Sequence, residues 1–326
     1  MSEEILRVED LVVRFYTYAG VVKAIEGVSF TVFKGECFGL VGETGCGKSV
    51  TMRSIMRLIP PPGRIVSGKI FFEGKNLLEL SEEEMREIRG RKISYIVQEP
   101  MTALDPIFKI GYQVAEPVFH HKLANSFKEA IKHAIKALRE ARMPSPERTA
   151  NMYPHELSGG MRQRAVISTS LACEPDLIIA DEPTTAVDVT IQAQIMDLLR
   201  NLQKSRGLTM ILVTHNLGLV AEMCDRVAVM YAGNIVEIAD VFTLFGKPMH
   251  PYTNGLLKAV PHIAKRKHEL KLEPIPGTIP NLIYPPPGCR FHPRCPYAKD
   301  ICKKEKPELV EVESGHFVAC HLYHRR

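Results

Sequence analysis

Apolar residues follow two periods that alternate through most of the chain. Short continuous apolar runs at 37–41, 93–97, 177–180 and 210–213 are typical of strands buried on both faces. Between these runs, apolar residues recur at helical spacing within 52–59, 127–138 and 189–202, and a proline run from Pro60 is expected to end the first of these helices. Such alternation predicts a mostly parallel sheet covered by helices.

Two segments depart from this rhythm. Residues 99–164 carry no strand signals and are predicted to be a helical insertion. From about residue 246 proline becomes frequent and the alternation stops, which predicts a boundary there. We expect an α/β core formed by 1–98 and 165–245, a helical subdomain at 99–164, and a proline-rich extension at 246–326 that does not build a core of its own.

Composition and charge exclude several classes of protein. The chain has 326 residues, 45% hydrophobic and 24% charged, which is the balance of an ordinary globular protein. A net charge of +5 made of mixed signs argues against nucleic acid as a partner. No apolar run reaches the ~18 residues that span a bilayer, and acids near the N-terminus stand where a signal peptide needs basic residues. We expect a cytoplasmic protein whose membrane role depends on partners.

A glycine-rich segment after the first buried strand predicts a phosphate site. The segment GETGCGKS at 42–49 fits the pattern G-x-x-x-x-G-K-[ST], in which backbone N–H groups surround phosphates at a helix N-terminus. Lys48 is predicted to neutralise the β and γ phosphates and Ser49 to hold Mg²⁺; the alternative is a plain glycine turn. The predicted contacts to ATP are Gly42, Glu43, Thr44, Gly45, Cys46, Gly47, Lys48, Ser49 and Val50.

A second motif places two acids at the end of the apolar strand at 177–180. Asp181 is predicted to bind Mg²⁺, commonly through a water molecule, and Glu182 to polarise the water that attacks the γ-phosphate. Acids often cap strand ends, so this motif gains its meaning from the glycine loop.

Further motifs follow in a characteristic order and narrow the prediction to one family. LSGGMRQR at 157–164 is similar to the LSGGQ signature, with backbone donors offered at Ser158, Gly159 and Gly160 and with a methionine in place of the usual glutamine. Gln98 resembles the Q-loop glutamine, TAVD ending at Asp188 the D-loop, and His215 the switch histidine. In this order, residues 5–245 resemble the ABC ATPases.

That resemblance implies a fold and a set of roles. The fold is a RecA-like P-loop core of the α/β class, with an antiparallel β region and a helical subdomain. Ser49, Gln98 and Asp181 would hold Mg²⁺, and Glu182, His215 and Gln98 would carry hydrolysis. Phe15 would stack on adenine, with Tyr16 the alternative; Phe15 is otherwise a residue of the strand core. Each ATP would lie between this loop and the LSGG segment of a second subunit.

Several segments narrow the resemblance to one branch. QEPMTALDP at 98–106, MYAGN at 230–234, PMHPYTNGLL at 248–257, PGTIP at 276–280 and GCRFHPRCPYA at 288–298 look like the D-type ATP-binding subunit of oligopeptide/dipeptide (peptide/nickel) importers. The branch implies a related F-type ATPase, two transmembrane permeases and an extracytoplasmic solute-binding protein, with this chain peripheral on the cytoplasmic face of the membrane. Oligosaccharides or nickel are alternative solutes. Alternatives of other classes are a soluble ABC ATPase that moves no solute and a regulatory subunit whose tail senses redox state.

Four of the eight cysteines crowd into the extension, at Cys289, Cys295, Cys302 and Cys320. In the resembling branch these cysteines are proposed to hold a [4Fe–4S] cluster; four thiolates also suit zinc, and unligated thiols are the third possibility. Nearby histidines are predicted to lie at the surface, with a role as substitute metal ligands the alternative: His292, His316, His321 and His324. Because the phosphate-site motifs are far away in sequence, we expect the change Cys295→Ser to leave ATP binding intact while weakening the pairing of this chain with a second ATPase subunit.

Overall fold

The structure is a computed structural model that describes residues 3–185, 187–259 and 274–323. His324 and Ala186 of the TAVD segment therefore lie outside the described residues. In chain order the strands are β1 (Glu4–Thr17), β2 (Gly20–Phe33), β3 (Cys37–Val41), β4 (Gly63–Phe72), β5 (Lys75–Asn76), β6 (Ile93–Ile96), β7 (Leu177–Asp181), β8 (Thr209–Thr214), β9 (Arg226–Tyr231), β10 (Asn234–Asp240), β11 (Val310–Glu313) and β12 (His316–Val318).

The α-helices are interleaved with these strands. In chain order they are α1 (Lys48–Ile55), α2 (Glu82–Ile88), α3 (Pro100–Ala103), α4 (Ile110–His120), α5 (Phe127–Glu140), α6 (Pro146–Thr149), α7 (Gly159–Leu171), α8 (Val189–Arg206), α9 (Leu217–Met223), α10 (Val241–Gly246) and α11 (Pro251–Lys258). Short 3₁₀ helices lie at Pro154–Glu156, His292–Arg294 and Asp300–Lys303. Within the described ranges, no helix combines the length and the apolar character needed to cross a bilayer.

One compact unit comprises Met1–Phe33, Phe38–Leu78 and Val213–Arg326. It contains an antiparallel sheet with the strand order β2-β1-β4-β5, and a run of neighbouring strands in the order β11-β12-β10-β9-β3. In that run β3 and β9 are parallel, whereas β9, β10, β12 and β11 pair antiparallel. The unit carries the glycine-rich segment between the buried strand β3 and helix α1.

The other compact unit comprises Lys34–Cys37 and Glu79–Leu212. Its buried strands β6 and β7 pair in parallel. Residues 99–164 form helices without a strand. Helix α5 illustrates why: Ala130, Ala134, Ala137 and Leu138 share one buried stripe, and Ser126 caps the N-terminus by accepting from the Glu129 backbone N–H. The bounds of the four segments drawn from the sequence stay predictions.

The first helix is shorter than its apolar spacing predicts. It ends at Ile55, before the proline run, because Arg57 adopts the left-handed conformation with φ of 52°. The Leu58 N–H donates to the Arg53 carbonyl at 2.8 Å and the Arg57 N–H to the Ser54 carbonyl at 3.0 Å, which together form a Schellman motif. The extension of this helix to Ile59 is therefore wrong.

The C-terminal extension contains a hairpin that the sequence analysis missed. Strands β11 and β12 pair with each other, and β12 pairs with β10 through Glu237 opposite Val318. The alternation VEVE followed by Ser314 and Gly315, the latter at φ of 71°, was the available signal. The extension also contributes to the core of this unit, because Phe291, 2% exposed, packs on the rings of Tyr231 and Tyr252.

Candidate functional site

The glycine-rich loop from Gly42 to Gly47 turns sharply from β3 into α1. Gly42, Gly45 and Gly47 have φ of 152°, 82° and 111°, a region that L side chains rarely adopt. A Cβ at Gly42 would lie 2.1 Å from the Met230 carbonyl oxygen, so no side chain fits there. Thr44 and Gly45 form the exposed crest of the loop. The glycines thus let the backbone curve closely enough to present its N–H groups to an anion.

Lys48 extends along the inside of this loop. It is 5% exposed, and its Nζ donates to the Gly42 carbonyl at 2.8 Å and to the Glu43 carbonyl at 3.1 Å. The neighbouring Cys46 is buried, and burial raises the pKa of its thiol. Cys46 is therefore a neutral packing residue, and Lys48 is the cation held at the loop.

Asp181 ends strand β7 and is 2% exposed. The Tyr95 hydroxyl donates to Asp181 Oδ2 at 2.5 Å, and Tyr95 lies on β6, where it pairs with Ile179 of β7. This hydrogen bond holds the Asp181 carboxylate in place at the carboxyl end of β7. Sequence reasoning missed Tyr95, because a tyrosine in a buried strand carries no motif of its own.

Glu182 has a backbone conformation that is uncommon for a residue with a side chain. Its φ is 47°, in the left-handed region, directly after β7. The Thr185 hydroxyl donates to Glu182 Oε2 at 2.8 Å, and Gln98 Nε2 donates to the same oxygen at 3.1 Å. The structure therefore brings together two predicted site residues, Gln98 and Glu182. Strained backbone of this kind clusters at functional sites.

The predicted signature segment begins helix α7. Ser158 caps this helix by accepting from the Met161 N–H at 3.4 Å, and a Cβ at Gly160 would lie 2.8 Å from Ile191 of α8. Asp188 caps α8 by accepting from the Ile191 N–H at 3.0 Å. Ile191 therefore contacts both helix starts: its N–H donates to Asp188, and its side chain packs against Gly160. Any larger residue at position 160 would require Ile191 to shift.

The remaining predicted residues lie in the unit that carries the glycine loop. His215 follows β8 and is exposed. Phe15 is half-buried on β1, where its backbone pairs with Val22 and Gly63, and Tyr16 is 48% exposed. The roles given to these residues from the resemblance stay predictions.

The four cysteines of the extension approach one another without forming a metal site as they stand. Burial raises the pKa of Cys289 and of Cys320 to about 11 and also raises that of Cys295. The other tail thiols add to each rise, and between them all six pairs of the four cysteines interact. In the described residues, however, no group of three or more His, Cys, Asp or Glu side chains is arranged to hold a metal ion. The four thiols supply the donor chemistry of a metal centre.

His316 is not a surface residue, contrary to the expectation from sequence. It is 1% exposed, and its Nε2 lies 2.7 Å from Oε1 of the fully buried Glu237. Glu237 also accepts from the backbone N–H groups of Met249 at 2.7 Å and His250 at 2.9 Å. The cause is the hairpin, which places His316 on β12 beside β10. Glu237 thereby fastens both the hairpin and the start of α11.

The extension also contacts the glycine-rich loop. Arg294 donates to both carboxylate oxygens of Glu43, at 2.9 and 3.2 Å, although 251 residues separate the two in sequence. The premise that distance in sequence isolates the extension from the phosphate site is therefore wrong.

The sequence matches two described families. Residues 25–185 match the ABC transporter family, and residues 236–302 match the C-terminal region of oligopeptide/dipeptide transporters. The second match extends from β10 into the cysteine-bearing extension.

Relatives and solved structures agree with these matches. The chain is 50% identical to a probable peptide ABC transporter ATP-binding protein of Sinorhizobium fredii, over 98% of this chain and 95% of the relative. It is 49% identical to the dipeptide transport ATP-binding protein DppD of Bacillus subtilis, over 99% of this chain and 96% of the relative, and equally identical to the oligopeptide transport ATP-binding protein OppD of that organism, over 98% and 89%.

Two solved structures share the fold. One is a dimeric ATP-binding cassette in a post-hydrolysis state bound to ADP and Pi, at a TM-score of 0.66 and 26% identity, with 73% of this chain and 99% of that chain covered. The other is an ABC transporter component of Clostridium perfringens, at 0.62 and 28%, with 75% and 92% covered. The predicted α/β ABC ATPase fold is confirmed, and the chain belongs to the ABC transporter family as an ATP-binding, ATP-hydrolysing subunit of the oligopeptide/dipeptide branch.

Proposed function

We propose that this chain hydrolyses ATP to power the import of oligopeptides or dipeptides. The observation that carries the proposal is the phosphate loop, whose glycines turn the backbone around the buried cation of Lys48. The names of the relatives and the matched C-terminal region support peptides as the solute class.

Within this function, one set of residues binds the nucleotide and its Mg²⁺. Backbone N–H groups of the loop at 42–50 and Lys48 bind the phosphates, and Phe15 stacks on the adenine. Ser49, Gln98 and Asp181 would hold Mg²⁺, which neutralises phosphate charge when bound.

The catalytic residues act on the attacking water and on the partner's nucleotide. Glu182, oriented by Thr185 and Gln98, accepts the proton of the attacking water, and His215 contacts the γ-phosphate. Ser158 to Gly160 and Asp188 face the nucleotide of a second ATPase.

The assembly follows from this division of labour. Each ATP needs the glycine loop of one subunit and the LSGG segment of another, so this chain pairs with a related F-type ATPase on the cytoplasmic face of two permeases, served by an extracytoplasmic solute-binding protein. Nickel or oligosaccharide importers use the same ATPase chemistry. Uptake of labelled tripeptide, nickel or oligosaccharide by the reconstituted complex distinguishes these solutes.

The role of Glu182 is tested by Glu182→Gln in the reconstituted complex. The amide keeps the shape of the side chain but cannot accept a proton, so ATP hydrolysis falls by at least about 100-fold while binding of the non-hydrolysable analogue AMP-PNP is kept. Glu174→Gln, an exposed glutamate paired with Lys136, is the matched control and leaves both unchanged. Near-normal turnover in Glu182→Gln would remove Glu182 from the mechanism.

A finer part of the proposal concerns the tail. The cysteines Cys289, Cys295, Cys302 and Cys320 take up a [4Fe–4S] cluster, supported by four mutually interacting thiols, of which Cys302 and Cys320 are buried. Protein purified without oxygen is then brown, with about four irons and four sulfides per chain. Cys295→Ser loses the colour, whereas Cys173→Ser, at a buried cysteine outside the tail, keeps it. Finding one zinc per chain would show that the site is a zinc site and not an iron–sulfur cluster. Finding no metal in the tail would reject both the cluster and the zinc site.

A further inference from the structure

Glu43 makes several of the hydrogen bonds that hold the phosphate loop in shape. Its carbonyl accepts from the Cys46 N–H at 3.2 Å and from Lys48 Nζ at 3.1 Å, and its N–H donates to the Tyr252 hydroxyl at 3.0 Å. Its carboxylate, 27% exposed, adds a negative charge to a loop that has to bind the polyanionic phosphates of ATP. Like charges at such close range repel, so this carboxylate needs a compensating cation.

Arg294 supplies that cation from the C-terminal extension. Its guanidinium forms a bidentate pair with the Glu43 carboxylate through two hydrogen bonds, and its side chain is only 6% exposed. The other N–H donors are fixed too: Nε donates to the Pro276 carbonyl at 2.8 Å, Nη2 to the Ile275 carbonyl and Nη1 to the Tyr231 hydroxyl, both at 3.4 Å. All five donors of the guanidinium are thereby used.

A second arginine of the same segment supports the loop from another side. Arg290, 8% exposed, donates to the Ala232 carbonyl at 2.5 Å and to Glu26 Oε2 at 3.3 Å. The residue after Ala232 is Gly233, whose N–H donates to the Cys46 carbonyl in the phosphate loop at 2.7 Å. The segment that holds two of the tail cysteines therefore contacts the loop directly through Arg294 and indirectly through Arg290.

We infer that Arg294 is a positioning residue for ATP: by neutralising Glu43, it allows the loop to accept the phosphates, so the folded extension sets the nucleotide affinity. The inference rests on the proposed function, because it takes the loop at 42–49 as the ATP site. It assigns the extension a role in nucleotide binding within this chain, separate from any role in pairing subunits.

The test is a double-mutant cycle in the full chain, with AMP-PNP and Mg²⁺ as the probe and calorimetry at about 0.15 M salt, where exposed charges more than ~8 Å apart are screened. Arg294→Met leaves the Glu43 carboxylate unopposed and weakens AMP-PNP binding about tenfold. Glu43→Gln alone leaves the Arg294 cation unopposed and strengthens binding. The double variant Glu43→Gln/Arg294→Met recovers the affinity to within about twofold, because neither charge remains.

The control variant removes another cation of the tail that does not touch the loop. Lys303, which pairs with Asp300 on its own 3₁₀ turn, is changed to Met and leaves AMP-PNP binding unaltered. A double variant that binds as weakly as Arg294→Met, or an Arg294→Met that binds normally, would overturn the inference. If Arg294→Met does not fold, the AMP-PNP affinity of Glu43→Gln alone tests the inference. Weaker binding by Glu43→Gln than by the unmodified chain would contradict charge compensation. Unchanged affinity in Lys48→Ala would instead reject the phosphate site, which keeps the two failures distinct.

Discussion

His250 shows how a single buried side chain joins the extension to the phosphate loop. It is 1% exposed, and its backbone N–H donates to the Glu237 carboxylate. Its ring Nδ1 accepts from the backbone N–H of Tyr252, at the start of α11, at 3.0 Å. Tyr252 in turn accepts from the Glu43 N–H. Burial lowers the pKa of His250 to about 3, so the folded protein holds this imidazole neutral through the physiological range.

We therefore predict that His250 makes folding pH-dependent in acid. The unfolded chain binds a proton at His250 below about pH 6.5 and the folded chain does not, so stability present above that pH is lost as the pH falls towards 3. Between pH 7.5 and 5.5 the loss due to His250 is about 1.4 kcal/mol. His250→Asn keeps an acceptor for the Tyr252 N–H but cannot be protonated, so its free energy of unfolding, measured in urea by tyrosine fluorescence, falls by that much less over the same interval. Equal pH dependence in both proteins would show that His250 is not buried and neutral.

At the scale of elements, the β11–β12 hairpin depends on one buried carboxylate. Glu237 on β10 accepts from His316 of the hairpin and from two backbone N–H groups that precede α11. A second link, between Lys247 and Glu313, joins the same parts of the chain at the exposed surface. Because buried polar groups left unpaired cost far more than exposed ion pairs contribute, the first link is expected to dominate.

Replacing Glu237 should therefore release the hairpin. Glu237→Ala leaves two backbone N–H groups and the buried His316 without their acceptor, and lowers the free energy of unfolding by about 3 kcal/mol. Limited proteolysis should then cut within 310–318, with intact β1–β10 fragments. Glu313→Ala, on the same hairpin, leaves the proteolysis pattern unchanged. Equal protection of the hairpin in both variants would show that Glu237 does not fasten it.

At the scale of the whole molecule, the phosphate loop and the signature segment belong to different compact units of the chain. In the proposed assembly, the signature segment covers the nucleotide of a partner. Catalysis then depends on association, since neither active site is complete within one subunit.

The isolated chain is accordingly predicted to be a weak ATPase. Its specific activity should rise when the partner ATPase and permeases are added, because they supply the missing signature segment and hold the two subunits together. Ser158→Arg in this chain should reduce hydrolysis at the partner's loop while AMP-PNP binding by the isolated chain stays normal. Full activity of the isolated chain, independent of its concentration, would contradict the shared site.

The sequence by itself determined the elements and motifs whose signals are local. The buried strand β3, the loop at 42–49 and the acids after β7 are recognisable because backbone geometry and phosphate chemistry demand particular residues at short spacing. Helix boundaries were less accurate, as at α1, where a left-handed Arg57 ends the helix although apolar spacing continues. The alternation of apolar and charged residues in the β11–β12 hairpin is short and lies in a proline-rich segment, so it did not predict a strand.

Only the tertiary structure decided which distant side chains meet. Three hydrogen-bonded pairs join residues that lie far apart in sequence: Tyr95 with Asp181, His316 with Glu237, and Arg294 with Glu43. Each of these residue types is also found on protein surfaces. No local pattern distinguishes a buried, paired arginine from a solvated one, because the partner's position depends on how strands and turns pack. The same reason explains why the extension looked independent in sequence and yet contacts the phosphate loop.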